Sequence, residues 1–355
     1  MSSATPKNPQ PKVLILYNQV DEHEFDNDIE LSELTPIKLE LQSMGYQVAI
    51  HNLDDEVDRI GDAVVVHRPS LVLNLIDHVY GDSTHLASLF GMLDLYGYVY
   101  TGSDPLCVAA CRDRSRTLVV LRDAGLPTPK FSILRDINSI PKIQTSNKLM
   151  VSQAQDDIYD DEDDRELFDS LTELQTGIHE LAGDYDMPFI VEEYVQGRRL
   201  QSIVLGNQAL EVLPLTESLN DTELDEDESD EEFKLAQLPL DVVDQIRLIS
   251  RRAFKACGCR DIAQFDFAFD GDQLVLINIR PIVDLMTGPF PLAASSTAPG
   301  LLGTIGQLVQ HSHKRLPSAD MAQHPLPSPR QDFNDSGIVQ AIQNDVITEK
   351  YTLNS

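Results

Sequence analysis

The apolar positions fall into short runs separated by amphipathic stretches. Val13-Leu-Ile-Leu-Tyr17 is an apolar run of strand length, too short for a helix. Leu34 to Met44 carries apolar residues at helical spacing and stops at Gly45, a residue suited to a helix C-cap. Tyr46 to Ile50 and Leu71-Val-Leu-Asn-Leu-Ile76 repeat the strand pattern. Strands alternating with helices predict a parallel sheet with crossover helices, so 12–105 reads as a compact α/β unit.

Beyond it, 106–124 reads as one helix that ends in Gly125-Leu-Pro-Thr-Pro129. The pattern over 125–187 is irregular, and 106–187 is taken as a central subdomain. Phe189-Ile-Val191 is a short strand. Ser202 to Gly206 and Ala209 to Leu213 predict a hairpin about Gly206-Asn207. Val242 to Cys257 is an amphipathic helix. Ile262 to Phe269 and Gln273 to Ile279 are two strands around Asp270-Gly271-Asp272. These make 188–315 a third region. Residues 1–11 are Pro- and Ser-rich and are expected to be disordered. Residues 316–355, rich in Pro, Ser, Gln and His, are expected to form a mobile tail with a short helix near 338–346.

Charge changes this picture. The chain of 355 residues carries a formal net charge of −31, which argues against nucleic acid or an anionic membrane as partner. The acid is concentrated. Asp156 to Glu166 holds eight acids and one Arg, and Asp221 to Glu232 holds nine acids and no base. Half of the excess sits in these two segments, which read as solvated loops. The four cysteines, Cys107, Cys111, Cys257 and Cys259, lack the Cys-x2-Cys spacing of a zinc knuckle and are read as reduced, mostly buried thiols. No secretory segment follows the N-terminus and no apolar run approaches 18 residues, so no membrane span and a cytoplasmic location are expected.

Three motifs in order carry a resemblance. The first spans Leu71 to Pro129, with Leu-Asn-Leu-Ile-Asp-His, Gly91-Met-Leu-Asp-Leu-Tyr-Gly97, Tyr100-Thr-Gly-Ser-Asp-Pro105 and Asp113-Arg114. The second is Val191-Glu-Glu-Tyr-Val-Gln-Gly197. The third is Gly258-Cys-Arg-Asp-Ile-Ala-Gln-Phe-Asp266, followed by Leu276-Ile-Asn-Ile-Arg-Pro281. Over about 12–312 the chain resembles the ATP-grasp superfamily, in particular D-alanine–D-alanine ligases. The resemblance implies an α/β (α+β) ATP-grasp fold. It would have an N-terminal parallel-sheet domain, a small central lid and a C-terminal mixed-sheet domain. ATP, Mg²⁺ and an amino acid substrate are implied, and a homodimer is common in the family.

Such ligases activate a carboxylate by phosphorylation, so they need cations and Mg²⁺ around the triphosphate. By this resemblance Glu192, Glu193 and Val195 stand at the adenine and linker positions, where they are otherwise ordinary strand-end residues. Arg114 keeps a cation on the nucleotide side, and Lys234 is the lysine expected near the second mobile loop. Asp266 and Asn278 stand at metal-ligand positions, and Gln264 and Arg280 at catalytic ones. Asp28 or Glu30, and Asp77 or His78, stand for the substrate-binding acid and histidine.

The departures are as informative. Leu118 and Ser152 stand where the family has lysines, with Arg116 a neighbouring cation. Arg199 stands where the family has an acid, Gln264 where it has an arginine, and Arg280 where it has a metal-binding Asn. No glycine loop follows Ser152; acids do. The resemblance therefore carries two expectations. One is a catalytically degenerate ATP-grasp protein with a nucleotide-binding, regulatory or scaffolding role. The other is an active carboxylate–amine ligase working through an acyl-phosphate, with Arg114, Lys234 and Arg280 supplying positive charge.

Overall fold

The computed structural model describes residues 10–18, 31–53, 60–79, 83–139, 141–154, 166–184, 187–219 and 232–316. Residues 1–9 of the N-terminal segment expected to be disordered, residues 317–355 of the expected tail with its helix near 338–346, and nearly all of both acidic segments lie outside these residues, as do Asp28 and Glu30.

The first sheet is parallel. Strands β1 (Lys12–Tyr17), β2 (Gln47–Asn52), β3 (Leu71–Asn74) and β4 (Val99–Tyr100) lie in the order β2-β1-β3-β4. The crossovers are helices α1 (Leu31–Ser43), α2 (Ile60–His67) and α3 (Leu86–Leu95). A continuous apolar strand is what a sheet covered on both faces requires. Here Val13, Ile15 and Tyr17 join one core with Leu34, Ile37 and Leu41 of α1, while Leu14 and Leu16 join another with α2 and α3.

The helix expected over 106–124 is two helices, α4 (Pro105–Arg112) and α5 (Arg114–Asp123). Asp113 between them is extended, at φ −84° and ψ 95°. Its carboxylate accepts from Arg116 N at 3.1 Å and Ser115 Oγ at 2.6 Å, so it caps α5 instead of continuing α4.

The stretch that looked irregular holds a small antiparallel sheet. Strands β5 (Phe131–Leu134), β6 (Leu149–Gln153), β7 (Glu166–Phe168) and β8 (Phe189–Glu193) lie in the order β5-β8-β6-β7. Helix α6 (Leu171–Asp184) buries Leu174, Ile178 and Leu181 against Leu149, Val151 and Phe189.

The C-terminal sheet is antiparallel in every described pair, where a mixed sheet was expected. The reason is local: hairpins join β9 (Arg198–Gly206) to β10 (Leu210–Val212), and β13 (Ile262–Phe269) to β14 (Leu274–Arg280). Strands β11 (Thr216–Ser218) and β12 (Phe233–Leu235) complete it, in the order β12-β11-β9-β13-β14. Gly206, at φ 114°, makes the first hairpin possible, because a Cβ there would overlap the Ala209 carbonyl.

The two faces of this sheet differ. Leu200, Val204, Phe265 and Phe267 pack under α7 (Leu240–Ala256), against Val242, Ile246 and Phe254. Both phenylalanines are fully buried, and truncating either costs about 3–5 kcal/mol. The other face packs Ile203, Leu205 and Ile262 against α8 (Pro289–Ser295), α9 (Gly300–His313) and the first sheet. Toward one end that second face turns polar, and the candidate site is there.

Candidate functional site

Strand alternation assembles the site. Residues two apart on a strand share a face, and register brings neighbours across. Gln264 lies opposite Arg280 and Asp266 opposite Asn278, so all four share the face away from α7. Asp266 also lies opposite Gln201 of β9, which lies opposite Thr216 of β11. Arg199, two residues before Gln201, is on the same face. A polar row therefore crosses the sheet from Thr216 to Asn278, and a register shift between Asp266 and Phe267 marks its edge on β14.

The row is already internally bonded. Asp266 Oδ1 accepts from Gln264 Nε2 at 2.8 Å, and its Oδ2 accepts from Arg280 Nε at 3.2 Å. Asn278 Oδ1 accepts from the Ile279 N–H at 2.8 Å. Thr216 Oγ1 donates to Gln201 Oε1 at 3.2 Å. Arg199 Nη1 donates to the Val195 carbonyl at 2.9 Å, and its guanidinium lies over Tyr194 at 5.6 Å.

A second group closes on this row from the central sheet. Arg114, the first residue of α5, grips Glu192 of β8 through Nε and through Nη2, the latter at 2.7 Å. Its Nη1 donates to the Ile277 carbonyl on β14 at 2.7 Å. Glu192 is 1% exposed, so its pairing with Arg114 is what makes its burial tolerable. Glu193 follows Glu192 on the strand and faces the other way. It accepts from Thr145 Oγ1 at 2.6 Å and Asn147 Nδ2 at 3.0 Å. The two glutamates thus serve different surroundings.

Lys234 is also elsewhere. It is exposed on β12, opposite Glu217, with Nζ 3.5 Å from that carboxylate. Glu217 lies opposite Leu200, which places Glu217 and Lys234 on the α7 face of the sheet and not on the face of Asp266. Arg198 grips the same glutamate at 2.5 and 2.7 Å and holds its carboxyl below the usual carboxylate range, with Lys234 adding to the effect. Arg116 is exposed and pairs with Asp113 at 2.8 Å. Asp77 and His78 follow the C-terminal end of β3 and pair with each other at 2.8 Å.

Hydrocarbon and a hydroxyl fill the two positions at which the resemblance implies lysines. Leu118 is 1% exposed and packs with Ala154, Ile190 and Phe131. Ser152 is buried opposite Ile190, and its Oγ has no hydrogen-bond partner among the described residues. Gln201, Thr216 and the Arg198–Glu217 pair were not singled out in the sequence; the signal was polar residues set into an apolar strand run, as at Gln201-Ser202 between Leu200 and Ile203.

Mg²⁺ demands several hard oxygens in near-octahedral array. The polar row offers one carboxylate, with both oxygens taken and a guanidinium beside it. These residues do not fit a divalent-cation site. No helix among the described residues is long and apolar enough to cross a membrane.

The comparisons agree with the motifs. Residues 167–289 match the family model described as D-ala D-ala ligase C-terminus. An uncharacterized protein of Sinorhizobium fredii is 28% identical over 263 residues, covering 69% of this chain and 75% of its own. A D-alanine–D-alanine ligase of Desulforudis audaxviator is 25% identical over 305 residues, covering 82% of this chain and 95% of its own. In fold, the chain superposes on the D-alanine–D-alanine ligase of Bacillus anthracis complexed with ATP. The TM-score is 0.64 at 16% identity, over 86% of this chain and 98% of that one. The chain therefore resembles D-alanine–D-alanine ligases in sequence and shares their fold.

Proposed function

We propose that this ATP-grasp protein has lost ligase chemistry and acts through binding, in a nucleotide-binding, regulatory or scaffolding role. The observation that carries the reading is the Arg280–Asp266 pair. A ligase site keeps its cations for phosphate and its carboxylates for metal. Here the cation and the carboxylate neutralise each other at 3.2 Å, and Arg114 and Glu192 do the same on the other side. Leu118 and Ser152 add no charge at the positions where the resemblance implies lysines. Each lost electrostatic contact of this kind is worth about 3–4 kcal/mol in a transition state, so several together remove catalysis.

The reading of an active ligase rests on the polar row itself, because Gln264, Asp266, Asn278 and Arg280 do share one face. The two readings separate in one experiment. Purified protein is given ATP and a panel of D- and L-amino acids, with and without Mg²⁺, and ADP release is followed beside nucleotide-induced thermal shift. The degenerate reading expects no amino-acid-dependent ADP release, and a nucleotide shift that does not need Mg²⁺. Turnover that disappears in Asp266→Ala overturns it.

A further inference from the structure

Three of the four cysteines of the chain converge. Cys107 and Cys111 are four apart on α4, so both thiols lie on one helix face. Cys257 caps the C-terminus of α7, and Gly258 turns left-handed at φ 73°. That turn brings Cys259 back under the helix, where its N–H bonds to the Phe254 carbonyl at 2.9 Å.

The sulfurs of Cys107, Cys111 and Cys259 all lie within 4.8 Å of one another, and all three residues are buried. Cys107 Sγ and Cys259 Sγ are 3.8 Å apart. Cys257 is half-buried and lies two residues before Cys259, at the C-terminal end of α7. Buried thiols are often no more than small apolar side chains, and these border Leu121, Phe254 and Phe265. Bulk alone, however, does not require the sulfurs to meet. A tetrahedral zinc ion with bonds of about 2.3 Å holds its ligand sulfurs roughly 3.8 Å apart. The Cys107–Cys259 separation equals that edge.

We infer that Cys107, Cys111 and Cys259 form a structural site for a thiophilic metal ion, Zn²⁺ foremost, toward which Cys257, two residues from Cys259, turns as fourth ligand when the ion binds. Soft thiolates select such ions over Mg²⁺ or Ca²⁺. The absence of Cys-x2-Cys knuckles is no obstacle, because a helix face and a helix-end turn supply the two ligand pairs. The site clamps α4 to the turn between α7 and β13. Next to it, Arg260 N donates to Ser103 Oγ at 3.2 Å and Arg260 Nε to the Gly102 carbonyl at 3.0 Å, so the metal would stiffen an existing seam. None of its ligands belongs to the polar row, so it stands independently of the function proposed above.

The test uses the full chain, produced in zinc-supplemented medium and passed through gel filtration. Elemental analysis is expected to find about one zinc per chain, released when an organomercurial titrates the thiols. Exchange with Co²⁺ is expected to give the thiolate-to-cobalt charge-transfer band and the intense visible bands of tetrahedral cobalt. Cys107→Ser with Cys259→Ser is expected to lose both. Should that variant fail to fold, the wild-type cobalt spectrum decides alone. Substoichiometric zinc with no charge-transfer band overturns the inference, and so does a Cys107–Cys259 disulfide found by mass spectrometry of the protein as purified.

Discussion

Two aspartates five residues apart, Asp261 and Asp266, each face an arginine, and their surroundings could hardly differ more. Asp261 is 0% exposed. It accepts from Arg315 Nε at 3.1 Å, Ser312 Oγ at 2.7 Å, Asn207 Nδ2 at 2.7 Å and Gly102 N at 3.1 Å. Those donors come from the C-terminal end of α9, the β9–β10 hairpin and the turn after β4, so one carboxylate joins three parts of the chain. Its backbone sits at φ 63°, a strained value that the network over-determines. Asp266 holds only two side chains of its own sheet, and its arginine is 36% exposed. The difference teaches that an Arg–carboxylate pair here is structural to the degree that it is buried and shared. Two further pairs lie between these extremes, Arg114–Glu192 and Arg198–Glu217.

The largest effect belongs to Asp261. Asp261→Ala leaves the Arg315 guanidinium, Asn207 and Gly102 N–H without their acceptor. Removing one member of a buried, hydrogen-bonded pair costs about 3–5 kcal/mol. Urea unfolding followed by circular dichroism is expected to show a loss of that size. A loss under about 1 kcal/mol would erase the contrast on which the comparison rests.

Glu192 comes next. Glu192→Gln keeps the shape and removes the charge, leaving Arg114 inside the protein at 14% exposure. The expected loss is about 3 kcal/mol, the lower end for breaking a buried pair, because the amide still accepts one hydrogen bond. Arg114→Met with Glu192→Leu is expected to recover most of it, since the pair's desolvation cost disappears with both charges. Additive losses in that double variant would show that the two side chains are not one unit.

Glu217 is predicted to read out as pH dependence. Arg198 draws its carboxyl below the ordinary value, so the unfolded chain takes up the proton first as pH falls. Its stabilisation is complete above the ordinary glutamate value, about pH 4.3, and is lost as pH drops through the lower folded value. With Arg198 38% exposed, the amount is under about 1 kcal/mol. Urea midpoints taken from neutral to acid pH are expected to fall less steeply in Glu217→Gln than in wild type at the acid end. Parallel curves would remove Glu217 from the ordered series.

Much of this was legible in the sequence, and the remainder was hidden for identifiable reasons. The strands of the first sheet announce themselves because both faces are covered, which forces uninterrupted apolar runs such as Val13–Tyr17. Gly206-Asn207 announces its hairpin because few residues tolerate that turn. Of the central sheet only Phe189–Val191 was legible; the other strands were missed because they are short and, as in Phe131–Leu134, half-buried. Helix α6 was missed as well: Leu171, Leu174, Ile178 and Leu181 carry its spacing, but Thr and Gly within it blur the period. The break at Asp113 was hidden because an aspartate inside a helix and one capping the next look alike until a neighbour's N–H is placed. The charge reversal at Arg199 and the cation at Arg280 were visible as residues. What they do was not, because the sequence does not say that Arg280 turns to Asp266 or Arg199 to the Val195 carbonyl. The cysteines show the same limit: spacing along the chain said nothing of three sulfurs meeting across 152 residues.

The smallest structural effect, and the sharpest functional one, is predicted for Asp266. In Asp266→Ala the remaining partners can turn to water, because Arg280 is already partly hydrated, so unfolding free energy is expected to move by less than about 1 kcal/mol. The consequence for anions has a definite sign. Arg280 loses its internal counter-charge, and the polar row becomes one unit more positive. At about 4 Å one unit charge is worth roughly 1 kcal/mol even in water-like surroundings, or about fivefold in affinity. Metal-free nucleotide, followed by titration calorimetry at low salt, is therefore expected to bind Asp266→Ala several-fold more tightly than wild type, with the gain fading as salt rises. In a ligase that uses Asp266 to hold metal, the same substitution weakens nucleotide binding in Mg²⁺. The two readings of the site thus predict opposite signs for one substitution. The fold is barely perturbed in either case, so the sign reports on the charge balance of the row and not on damage to the sheet.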